Sequence, residues 1–68
     1  MNNFKVKRLD FIMAMDGELY NTNAWVVVRV NGFKTQYLRQ GVVGELPFMY
    51  ARRSTARDYL KDYLAINP

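Results

Sequence analysis

The stretch Trp25–Arg39, WVVVRVNGFKTQYLR, decides how the chain is read. Val26, Val28 and Val30 alternate with Trp25, Val27 and Arg29, and β-branched residues dominate, so this segment reads as a strand. Asn31-Gly32 is the pair that best tolerates positive φ at both central positions of a type I′ turn. Phe33–Arg39 then runs back. A two-residue turn at Asn31-Gly32 sets Val30 opposite Phe33, Arg29 opposite Lys34, Val28 opposite Thr35 and Trp25 opposite Leu38. Two surfaces follow. Val26, Val28, Val30, Phe33, Thr35 and Tyr37 make the more apolar one, expected to face the core. Trp25, Val27, Arg29, Lys34, Gln36 and Leu38 make the other, half apolar and half cationic, expected to face outward.

Upstream, Asn3–Met15 opens with Phe4 and Val6 alternating against Lys5 and Lys7. Its apolar phase then shifts to Leu9, Phe11, Met13 and Met15. A phase change within a strand predicts a bulge or bend near Lys7-Arg8. Asp16-Gly17 is a second turn signal, Glu18–Tyr20 a short extended piece, and Asn21-Thr22-Asn23 a loop by composition. Downstream, Gly41-Val42-Val43-Gly44 ends the hairpin and bends the chain. Pro47 restricts Leu46–Tyr50 to an edge strand or an extended lead-in.

The last segment is helical. Ala56, Tyr59, Leu60, Tyr63 and Leu64 recur at i, i+3, i+4, i+7 and i+8, one apolar stripe. Ser54 or Thr55 is expected to cap it, Thr55 with Asp58 as a capping box. The expected architecture is a single α+β domain, residues 1–68. A three- to four-stranded antiparallel sheet carries one C-terminal helix packed on its core face.

Composition narrows the function classes. The 68 residues include no cysteine and no histidine, so disulfides and the usual general-base, nucleophile and zinc arrangements are missing. Gly41 and Gly44 lack the spacing of a phosphate-binding loop. The carboxylate pairs Asp16/Glu18 and Asp58/Asp62 read as solvated charges. A non-catalytic protein without metal or cofactor is expected, its stability resting on 50% hydrophobic content and ten aromatic residues. No apolar run approaches transmembrane length. Asp10 interrupts the segment after Lys5, Lys7 and Arg8, so no signal peptide is expected and a cytoplasmic location follows.

A net charge of +4 favours anionic partners, although it also suits plain solubility. Arg29 and Lys34, opposed beside the turn, would repel unless an anion sat between them. Trp25 could stack on a base or sugar and Gln36 could reach a base edge. Arg52-Arg53 sits where a helix dipole prefers negative charge, a placement suited to clamping phosphate. The nucleic-acid candidates are therefore Trp25, Arg29, Lys34, Gln36, Arg52 and Arg53. Lys5, Lys7 and Arg8 form a weaker basic arm.

Trp25, Val27 and Asn31-Gly32, followed by Ala56, Tyr59 and Leu60 in a helix, resemble the AP2-like arm-binding N-terminal domains of tyrosine integrases. The resemblance spans Trp25–Leu64, with Arg52 standing where that family carries a helix-capping Thr. It implies a sheet face lying in the major groove of double-stranded DNA, carried here by Trp25, Arg29, Lys34 and Gln36. The alternative class is a phage-type inhibitor or adaptor, of the anti-CRISPR or host-takeover kind, that binds a protein of a host nucleic-acid machine. Its anchors would be Trp25, Val27 and Leu38, or Phe48 and Tyr50. A homodimer joined through an edge strand is a third arrangement.

Overall fold

The computed structural model describes residues 3–67. Strands β1 (Lys5–Met13), β2 (Leu19–Asn31), β3 (Lys34–Arg39) and β4 (Val42–Gly44) precede one helix, α1 (Arg53–Ile66). The strands form an antiparallel meander in the order β1-β2-β3-β4, and α1 packs across β1 and β2. This is the sheet-plus-helix α+β architecture that the sequence predicts.

Turn chemistry moves the hairpin turn by one residue. Asn31 pairs with Lys34, so Gly32-Phe33, not Asn31-Gly32, occupies the turn. Gly32 takes positive φ (64°) while Phe33 does not. A turn of that kind needs glycine only at its first central position and accepts a bulky residue at its second. Arg29 consequently faces Gln36, and Val28 faces Tyr37. A shift of two residues in pairing keeps every side chain on the face it was assigned.

The identity of the faces is reversed. Val27 and Leu38 are 0% exposed and form the core with Phe4, Tyr50 and Ala56, so α1 covers the surface expected to face outward. The cause lies in β1. Its register sets Val6 opposite Val27 and Lys5 opposite Val28, so Phe4 and Val6 join the Val27–Leu38 side while Lys5 and Lys7 join Val26 and Val28. Val43, opposite Leu38, adds to the same core side. The hairpin alone favours the other face; the outer strands outweigh it.

The break in β1 pairing falls between Leu9 and Phe11 rather than at Lys7-Arg8. Only Asp10 lies between these two in β1, whereas Thr22 and Asn23 lie between their partners Ala24 and Asn21. The extra residue therefore belongs to β2. Asn23 absorbs it at φ 45°, and the Thr22 hydroxyl donates to the Leu9 carbonyl. The predicted loop at 21–23 is thus a bulge inside one long strand. Beyond it, β1 and β2 continue as a two-stranded ribbon closed at Asp16-Gly17, where the Asp16 carboxylate accepts the Glu18 N–H at 3.0 Å.

After Arg39 the chain turns through Gln40-Gly41 into β4, leaving β2 without a neighbour at Trp25. Tyr50 fills the gap. Its backbone exchanges two hydrogen bonds with Trp25, at 2.8 and 2.7 Å. Its hydroxyl donates to the Leu38 carbonyl at 3.0 Å and accepts the Gln40 N–H at 3.1 Å. Its ring lies 5.0 Å from Phe48 and 5.3 Å from Tyr59 of α1. Residues 47–49 form no strand and lead into Tyr50, so of the two arrangements that Pro47 allows the edge strand is absent.

The helix begins at Arg53, with Arg52 extended (φ −130°) at the cap position and no side-chain cap. Ser54 and Thr55 lie inside the first turn, so neither is the expected cap. The apolar stripe is as predicted: Ala56 is buried, and Tyr59, Leu60 and Tyr63 pack on the core. Tyr63 meets Phe4 edge to face at 5.6 Å.

Two outcomes test this packing by denaturant titration. Leu38→Ala removes about 2–5 kcal/mol of stability, the usual cost of emptying a core leucine site, whereas Val30→Ala on the uncovered face costs under about 1 kcal/mol. Burial raises the Tyr50 hydroxyl above the ordinary tyrosine value of 10.0, outweighing the Gln40 hydrogen bond. A group with a raised folded-state value contributes stability that is complete below pH 10 and is lost as pH climbs further. Tyr50→Phe therefore weakens the fold at neutral pH and flattens its alkaline loss of stability.

Candidate functional site

The six candidate residues separate into two groups at opposite ends of the helix-covered face. At the hairpin-turn end, Arg29 donates through Nε and Nη2 to the Gln36 Oε1, at 3.1 and 2.7 Å. Its guanidinium carbon stands 4.6 Å from the centre of the Phe4 ring. Arg29 and Gln36 thus satisfy each other beside the core. Lys34 is exposed and faces Asn31, so the opposed cations expected at Arg29 and Lys34 do not occur.

At the other end, Trp25 gathers arginines. Arg8, opposite it on β1, lies 6.0 Å from the indole, and Arg53 from the first turn of α1 lies 5.7 Å away. Arg52 is exposed immediately before Arg53, and Arg57 is exposed one turn further on. Cations over an indole face are held by the ring quadrupole, worth about 0.5–1 kcal/mol at exposed sites. Arg8 is also oriented by Asp10, at 2.7 Å, and by Asn23, at 3.3 Å. That exposed ion pair adds little stability but fixes the plane of the guanidinium.

Helix geometry supplies the rest. The first intrahelical bond runs from the Ala56 N–H to the Arg52 carbonyl, 3.2 Å, so the preceding N–H groups of α1 have no partner within the helix. No acidic residue lies in the first turn. Partial positive charge of the helix end therefore adds to Arg52 and Arg53 without local neutralisation.

Arg8 was legible only as part of a basic N-terminal arm. Its place beside Trp25 depends on the β1–β2 register, which no local motif encodes. The uncovered face carries a second feature outside the expected set. Val26, Val28 and Val30 floor a shallow channel of about 820 Å3, walled by Lys5 and Lys7 on one side and Tyr37 on the other.

The chain matches no protein-family model, no curated protein and no solved structure. Among the described residues, no helix is long and apolar enough to cross a membrane.

The Trp25 cluster has a direct spectroscopic readout. The double substitution Arg8→Ala and Arg53→Ala removes both guanidinium neighbours of the indole. Emission from Trp25, the sole tryptophan, is then expected to move to longer wavelength while the far-ultraviolet circular dichroism stays unchanged.

Proposed function

We propose that this protein is a small non-catalytic module that binds duplex DNA in the cytoplasm through the Trp25 end of the molecule. The observation that carries the reading is the convergence of Arg8 and Arg53 on Trp25 at an uncapped helix N-terminus that Arg52 precedes. Free N–H groups, the helix dipole and planar guanidinium groups all favour phosphate oxygens. Trp25 adds a surface on which a sugar or base can stack.

The resemblance to AP2-like arm-binding domains supports a sheet-plus-helix module for DNA, but through different residues from those it implied. Arg29 and Gln36 are engaged with each other, so the contact residues are Trp25, Arg52 and Arg53 of the original set, joined by Arg8 and Arg57. A second reading, the phage-type inhibitor or adaptor that binds a host protein, loses the expected anchors Val27, Leu38 and Tyr50, which are buried in the core, and draws on Phe33 instead. This ring stands fully in solvent at the tip of the β2–β3 turn, and an exposed aromatic is the usual anchor of a protein contact.

Titration of labelled duplex DNA across a salt series separates the readings. DNA binding predicts a steep fall of log K with log salt and a coincident change in Trp25 emission. Arg52→Glu with Arg53→Glu should weaken binding more than tenfold and flatten the salt slope by about 2, since each lost phosphate contact removes about 0.9. Arg29→Ala should leave affinity within about twofold. Absence of binding at low salt removes the DNA reading, and loss of a protein partner on Phe33→Ser would support the second.

A further inference from the structure

The uncovered sheet face is apolar along most of its length, and its two ends differ. One end is the valine-floored channel bordered by Lys5 and Lys7. The other is the β1–β2 ribbon, whose same-face residues Phe11, Met13 and Leu19 are 57%, 69% and 64% exposed. The ribbon's turn carries two acids, Asp16 and Glu18. Past Trp25 this ribbon has no third strand among the described residues. Two-stranded ribbons are marginal in water unless a hydrophobic face is covered. The projection also accounts for the radius of gyration of 12.2 Å, against about 11 Å for a compact chain of this length.

We propose that a second copy of this chain covers the face, forming a two-fold dimer in which each ribbon lies in the other copy's channel. The placement follows from the order of residues along β1. A two-fold axis in the plane between the sheets, perpendicular to the strands near Leu9, reverses strand direction and keeps β1 over β1 and β2 over β2. Leu19 then meets Val28, opposite Lys5, on the floor of the partner's channel. Phe11 and Met13 lie along the aliphatic stems of the partner's lysines. The same reversal brings the tip acid Asp16 of each copy to the Lys5 end of the other.

The match pairs apolar with apolar and lysine with acid in both directions, as an isologous interface requires. Sheets packed face to face stand about 10 Å apart, a gap these side chains fill. Extents of 38 × 27 Å leave room for the roughly 800 Å2 per partner that a standard interface buries. The Trp25 end lies on the opposite, helix-covered side, so the dimer is independent of the DNA reading and leaves that site open in both copies.

Sedimentation equilibrium of the full chain tests the proposal. The wild type is expected to be dimeric at micromolar concentration, and Phe11→Glu to raise the dimer dissociation constant more than tenfold with its circular dichroism retained. Lys5→Glu and Asp16→Lys should each weaken the homodimer by reversing one charge at both contacts. An equimolar mixture of these two variants should restore association, because every contact in the heterodimer is again attractive. A monomeric wild type overturns the proposal. So does a dimer that survives Phe11→Glu, or charge variants that do not rescue each other, since either result assigns association to another surface.

Discussion

Tyr50 holds together parts of the chain that would otherwise have no common reference. The hairpin strand β3 leaves β2 after Leu38, and Trp25 then needs a partner for its backbone N–H and carbonyl groups. Buried main-chain groups left unpaired cost about 1–3 kcal/mol each, so the return of the chain to this position is strongly specified. Tyr50 answers both groups with its backbone and fastens the departing strand through its hydroxyl on Leu38 and Gln40. Its ring meets Tyr59, which seats α1. One residue thereby couples the crossing of the chain, the closure of the β3–β4 turn and the position of the helix.

Seating the helix there also determines where cations collect. Four arginines lie over aromatic rings: Arg8 and Arg53 on Trp25, Arg29 on Phe4 and Arg39 on Phe48. A guanidinium is planar and weakly hydrated, so it stacks on a ring at little desolvation cost and keeps outward N–H donors available. These contacts differ in consequence. Arg29 has its donors directed to Gln36, which makes it part of the hairpin. Arg53 stands at a helix end without acidic neighbours, which makes it part of a surface that attracts anions.

The two faces of the sheet divide the apolar residues unequally. The covered face collects Phe4, Val6, Trp25, Val27, Leu38 and Val43 around one helix. The uncovered face keeps half-buried Val28, exposed Val30 and a ribbon that α1 does not reach. A chain of this size has barely enough apolar surface for one core, and here a substantial part lies outside it. That exposed hydrophobic surface, with lysine at one end and acid at the other, is suited to association.

Much of the fold was legible in local pattern. Alternation in 25–30, the Asn31-Gly32 signal and the 3.6-residue stripe from Ala56 to Leu64 specify a hairpin followed by an amphipathic helix, because backbone periodicity acts within a few residues. Trp25, Arg52 and Arg53 were recognisable as candidates from residue type and their nearness to a strand and a helix end. Tertiary structure alone decided which face the helix covers, since both faces of the hairpin are apolar and only the register of β1 adds Phe4 and Val6 to one of them. The same register carried Arg8 to Trp25 and left Arg29 with Gln36. Pairing between strands distant in sequence depends on the sum of burial over the whole sheet, and no single stretch of the chain contains that sum.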